Sequence, residues 1–174
     1  MKRRLGASEN SILVAQNNLA ITYENLGRLD EALRLKRDVY TGFLKLFGEE
    51  HEQTLLAANN YASALLHLKR FGEAKSLLRK TVPVTRRILG ESNVGTLRVR
   101  SVYAEALYRD DGATFDDLHE AVTTLEEIEQ TARRVFGGAH PLTKGIEREL
   151  QVSRAALRAD EDTAPGGDVS GGGA

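Results

Sequence analysis

Four groups of residues have the types that do chemistry. His51 and His140 each follow a Phe-Gly pair by a few residues. Histidine is the usual acid–base group near neutral pH and a common metal ligand. These two fall in separate, similar turns far apart in the chain, so the expectation is that they serve those turns by satisfying backbone groups. Asp116, Asp117, His119 and Glu120 have the composition of a metal cluster. They also follow a loop and open a helix, where acidic side chains suit the helix dipole. Asp110-Asp111-Gly112 lacks the alternating acids and the sixth-position glycine of a calcium loop. The chain has no Gly-rich phosphate loop, no HExxH and no serine in an elbow context. The expectation is therefore no catalytic residue, no metal and no cofactor. The fourth group is two asparagine pairs, Asn17-Asn18 and Asn59-Asn60, inside apolar runs with helical spacing. Asparagine is a mediocre helix former, but its amide both donates and accepts, which suits it to binding a peptide backbone.

The composition agrees with a binding role. The chain has 174 residues, 41% hydrophobic and 28% charged, with no cysteine and a net charge of −1. This is a globular balance. It excludes a disulfide scaffold and a thiolate site, and it argues against a nucleic-acid partner. No apolar run reaches the ~20 residues of a membrane span, and the basic start has no following apolar stretch. The expected location is the cytoplasm.

The elements that must position these residues repeat. Leu5-Gly6, Phe47-Gly48, Leu89-Gly90 and Phe136-Gly137 pair a large apolar residue with glycine at steps of 42, 42 and 47. Ala20, Ala62 and Ala104 keep the 42 step, as do Ala32 and Ala74, with Ala121 falling 47 later. The third unit's five extra residues therefore lie near 110–114. Each unit reads as two helices joined by a short turn. Gly27 is placed for a left-handed helix end and Asp30 for an N-cap. Pro83 should kink or split its helix, whereas Pro141 should open one. The expected boundaries are a remnant of a preceding repeat over 1–9, units over 10–51, 52–93 and 94–140, and a final helix over 141–158. Residues 159–174 should form a disordered, acidic, Gly-rich tail. Two helices cannot bury their own apolar face. Stacked pairs can, and small alanines let the helices approach closely.

This unit resembles a tetratricopeptide repeat, and its 42-residue length resembles the kinesin light chain subfamily. The residues that carry the likeness are Gln16-Asn17-Asn18-Leu19-Ala20-Ile21-Thr22-Tyr23, Phe47-Gly48-Glu49-Glu50-His51, Thr54-Leu55, Asn59-Asn60-Tyr61-Ala62 and Phe136-Gly137-Gly138-Ala139-His140-Pro141-Leu142-Thr143. Unit three departs from it, with Ser101-Val102 for Asn-Asn and Asn93-Val94 for His-Pro. The resemblance implies an all-α, right-handed solenoid of antiparallel helix pairs, here with seven helices. It also implies a concave groove lined by the first helix of each unit. Repeat phase then places Val14, Asn17, Ile21, Glu24 and Asn25 on the groove in unit one. It adds Leu56, Asn59, Ser63, Leu66 and His67 in unit two, Arg98, Ser101, Glu105, Tyr108 and Arg109 in unit three, and Arg148 on the last helix. Asn18 and Asn60 are expected to face the inter-repeat contact. The stripe is apolar and amide-rich early and basic late, as an extended peptide with an acidic portion would require. The function expected is non-catalytic protein binding, as a scaffold or adaptor. The alternatives are self-association through the terminal repeat faces and a segment of a larger signalling protein.

Overall fold

The computed structural model describes residues 2–163, with side chains for 8–162. These residues form seven α-helices and no strand: α1 Lys2–Asn25, α2 Leu29–Phe47, α3 Glu52–His67, α4 Phe71–Leu89, α5 Val94–Tyr108, α6 Phe115–Phe136 and α7 Pro141–Thr163. Each helix packs on the next along the chain, as connections this short require.

Both kinds of boundary are written in local chemistry. The second helix of each unit stops at Gly48, Gly90 or Gly137, with φ of 85°, 87° and 84°. A Cβ at these positions would meet nothing within 4 Å. Glycine is therefore demanded by the left-handed torsion and not by lack of room. Three residues later a side chain caps the next helix: His51 Nδ1 accepts from the Gln53 N–H, Asn93 Oδ1 from Gly95 and His140 Nδ1 from Leu142. The two histidines and the asparagine thus fill one structural role. Inside a unit, α1 closes with Gly27 N–H on Glu24 O and Arg28 N–H on Tyr23 O. The end of α3 repeats this pattern with Lys69 and Arg70, Lys69 standing at φ 57°. This is the Schellman arrangement.

Several expectations are corrected. The Leu5-Gly6 pair does not end a helix, because α1 runs unbroken from Lys2 to Asn25. The residue in register with His51 is Glu9, which is not among the side chains that cap a helix from that position, so nothing starts a new helix there. Asp30 is the second residue of α2 and not its cap. Arg28 holds the cap position without a capping bond and pairs with Glu31. Arg70 and Glu73 repeat that pair at α4, at 2.6 Å. Pro83 does not split α4. It is exposed, so water can reach the carbonyl it leaves unpaired. Helix α7 extends through residues 159–163, into the segment expected as tail. Ala, Asp and Glu continue there, and the first helix-breaking residue is Pro165. Residues 164–174 lie outside the described residues. The five-residue insertion divides between a loop over 109–114 and α6, which has 22 residues against 19 in α2 and α4.

The repeating alanines are fully enclosed. Ala20, Ala62, Ala104, Ala32, Ala74 and Ala121 are all 0% exposed. Leu78, Leu97, Leu107, Leu125 and Ile128 pack into one core with four of them. Unit one differs in chemistry. Lys36 occupies the repeat position of Leu78 and Leu125, and Glu24 that of Leu66 and Tyr108. The two pair at 2.5 Å with side chains 5% and 16% exposed. A buried ion pair is nearly neutral against a well-packed apolar pair, but breaking it leaves an uncompensated charge.

Two outcomes follow. Ala74→Leu should overpack the α3–α4 contact and cost about 1–3 kcal/mol in chemical denaturation. An unchanged midpoint would refute the close-packing role. Glu24→Leu alone should destabilise by about 3–5 kcal/mol, whereas Glu24→Leu with Lys36→Leu should recover most of that loss. A double variant no better than the single would refute the ion-pair account.

Candidate functional site

The shape of the stack decides which surface can receive a ligand. Among the described residues α3 lies close to α5, and α5 to α7, whereas α2, α4 and α6 do not approach one another. A stack tight along one row of helices and spread along the other is curved. Its concave side is the row of first helices, close from α3 through α5 to α7 and joined to α1 by a side-chain hydrogen bond from Asn60 to Asn17, and the expected stripe lies on that row.

The structure sorts the stripe into residues that face outward and residues already engaged. Val14, Ile21 and Leu56 are 44%, 43% and 39% exposed, an apolar patch on the early half. Asn25, His67, Arg98, Arg109 and Arg148 are exposed as well. Arg98 and Arg148 have no hydrogen bond or ion pair among the described residues. Arg109 is paired with Glu105 and lies 5.6 Å from the Phe71 ring centre. Glu24 is occupied by Lys36 and lies 3.5 Å from His67 Nδ1. Ser63 donates to the Asn59 carbonyl. Two residues leave the stripe. Leu66 is 2% exposed and part of the core, because α3 is covered on both sides where α1 is not. Ser101 is buried and donates to Glu149. Tyr108 is half-buried, and that burial pushes its phenol well above the usual range.

The expected division of the asparagines also changes. Asn60 Nδ2 donates to Asn17 Oδ1 at 3.2 Å, bridging α3 and α1. Asn17 is therefore a contact residue as well as a surface one, and Asn18 is exposed. The pairing joins one residue to another one repeat plus one position along. Applied to the next unit it joins Asn59 to Val102, which has nothing to donate. Asn59 Oδ1 is buried there without a partner. Applied once more, with the insertion, it joins Ser101 to Glu149, which hydrogen-bond at 2.5 Å. The concave row thus carries three rungs in register: an amide pair, an amide against a valine, and a hydroxyl against a carboxyl. Between α1 and α3 a cleft of about 190 Å3 opens beside the first rung, walled by Val14, Phe43 and Leu56, with Gln53 Oε1 buried and unpaired. Glu149 was not among the residues expected from sequence. The available signal was its register with Asn60 and Val102, which places an acid where neutral residues stand.

The acidic cluster of α6 has structural duties. Thr114 and Asp117 form a capping box, Asp117 binds Lys75 at 3.0 Å, Tyr103 donates to Glu120, and His119 stacks on Phe115. No helix among the described residues is long and apolar enough to cross a membrane.

Residues 11–86 match the tetratricopeptide repeat family model. Among solved structures, a Podosopora anserina protein with nearly identical TPR-like repeats of kinesin light chain type superposes with a TM-score of 0.67 at 23% identity, covering 86% of this chain and 69% of its own. A single-substitution variant of that protein gives 0.69, again at 23%, covering 86% and 68%. BtubC (BKLC) from P. vanneervenii gives 0.65 at 15% identity, covering 95% and 70%. The fold is that of kinesin light chain-like tetratricopeptide repeats. Comparison with curated proteins finds no match. Of the large-then-small pairs, Tyr61-Ala62 and Tyr103-Ala104 pack into the core, whereas in Leu19-Ala20 only the alanine is buried and Leu19 is 43% exposed.

The broken middle rung generates a prediction. Val102→Asn supplies the missing donor while giving up some apolar burial. In wild type it should cost about 1 kcal/mol less than in an Asn59→Ala background. Denaturation of the four proteins in this cycle measures the coupling, and a value of zero would refute the rung.

Proposed function

We propose that this tetratricopeptide array is a non-catalytic protein-binding module that takes an extended peptide with an acidic portion along its concave row. The observation that carries the reading is the contrast between engaged and free groups on that row. The polar side chains of the inter-helix rungs are largely consumed, while Arg98 and Arg148 stay exposed without partners at the late end. Val14, Ile21 and Leu56 offer apolar surface at the early end. A peptide with apolar residues toward one end and carboxylates toward the other matches that order of chemistry. The backbone-binding role falls to Asn59, whose Nδ2 is unpaired, more than to Asn17, which already serves Asn60. The near-zero net charge supports a protein partner over nucleic acid, and a chain without cysteine suits the cytoplasm. The fold of such arrays is one of interaction modules, and the polar clusters here have structural partners, which supports a non-enzymatic role.

A second reading has its own observation. Ile12 is 54% exposed beside a cleft walled by Leu13, Gly42 and Leu46, a surface that fits self-association.

Selection from a random peptide library separates the two. Wild type should enrich peptides with clustered Asp and Glu, and Arg98→Glu with Arg148→Glu should weaken them roughly tenfold at low ionic strength and less at high salt. Thermal stability should be unchanged, since both arginines are exposed. No enriched class, together with concentration-dependent dimerisation in sedimentation, would overturn the peptide reading in favour of assembly.

A further inference from the structure

We propose that Glu149 makes the late half of the concave row a proton-gated surface, which accepts an anionic peptide when the carboxyl is protonated and resists it when the carboxyl is ionised. The proposal rests on the peptide-binding reading above and adds its regulation. Its geometric basis is the third rung. In register, the position holds Asn60 in unit two and Val102 in unit three, both neutral, and an acid in α7. Glu149 projects from α7 and is part-buried against α5, with Ser101 Oγ donating to its Oε2. On α5 it faces Glu105 and Tyr108, and on its own helix Arg148. From α6, the acids turned toward α7 are engaged elsewhere, Glu126 with Arg154 and Glu129 with Arg133, which also binds Glu147.

Burial is the largest influence on the Glu149 carboxyl, raising its pKa to about 7. The Ser101 hydrogen bond and Arg148 act the other way, and Glu105 adds to the rise. The group therefore changes charge within the physiological range, where an ordinary glutamate would already be ionised. Arg109 is neutralised by Glu105. The late half then rests on Arg98 and Arg148 against Glu149. Below the raised value Glu149 is neutral and the two arginines act unopposed. Above it, its charge offsets one of them. By linkage, an anionic ligand on this half holds the Glu149 proton on, and that proton strengthens the ligand by the same factor. Affinity for an anionic peptide must then rise as pH falls through about 7. The opposite sign holds for a cationic peptide.

The test uses the full chain at fixed ionic strength and two fluorescent probes, a decapeptide alternating Glu with Ser and its Lys–Ser counterpart. The Glu–Ser probe should tighten roughly three- to tenfold from pH 8 to pH 6, the size of one nearby screened charge, and the Lys–Ser probe should not tighten. Glu149→Gln, which imitates the protonated form, should bind the Glu–Ser probe at pH 8 as wild type does at pH 6, with no remaining dependence. His67→Gln should keep the wild-type dependence, which excludes the histidine on the same row. Carbon-13 NMR of the Glu149 carboxyl should titrate near 7, and a midpoint in the ordinary range near 4.3 would overturn the proposal. Glu–Ser binding that is equally tight at both pH values, or equally pH-dependent in Glu149→Gln, also overturns it and leaves the peptide reading standing. No Glu–Ser binding at either pH removes both.

Discussion

The architecture depends on how closely two helices can approach. A pair of helices in one unit leaves each with an uncovered apolar face, and the next unit can cover it only if side chains at the crossing are small enough. Six alanines with no exposed surface mark these crossings. The first helices approach one another from α3 to α7 while the second helices do not, and this bends the stack. Curvature, concavity and the inner location of the candidate site all follow from residue size at a few points. This is the nearest-neighbour logic of repeat proteins, in which local packing sets global form.

On that frame the units differ where their polar groups meet. The first unit buries Lys36 against Glu24 where its neighbours bury apolar residues. The rungs run from amide–amide through an unmatched amide to hydroxyl–carboxyl. Each variation keeps the backbone geometry and changes the local charge or hydrogen-bond balance. The inner surface is therefore chemically graded along its length although its scaffold is nearly periodic.

Features with short-range causes were legible in the sequence. Gly48, Gly90 and Gly137 mark helix ends because left-handed torsion restricts the residue type, and the alanine register gave the packing positions because size recurs with the unit. His51 and His140 were readable as turn residues for the same reason. Features that depend on what lies across an interface were less legible. Leu66 and Glu24 share one repeat position on the expected stripe, yet α3 is covered by neighbours on both sides and Leu66 is buried. The partner of Asn17 is Asn60, one position off the simple repeat, because the rung crosses between helices at a slant. Glu9 shows the opposite limit. The glycine before it kept the repeat step, but without a capping side chain the helix continued through it.

The rungs also determine what the order of units means. Unit two presents an amide acceptor on one side and an amide donor on the other. A duplicate of unit two placed after it would reconstitute the Asn17–Asn60 type of rung. Unit three, as its successor, offers valine. Beyond it, Ser101 would face an asparagine if a copy of unit two replaced α7, and the part-buried carboxyl would be lost. The units therefore share a backbone but are not interchangeable. Transposing or shuffling them would preserve the solenoid while erasing its sequence of polar contacts. Their linear order is itself chemical information, held in two adjacent residue positions per unit.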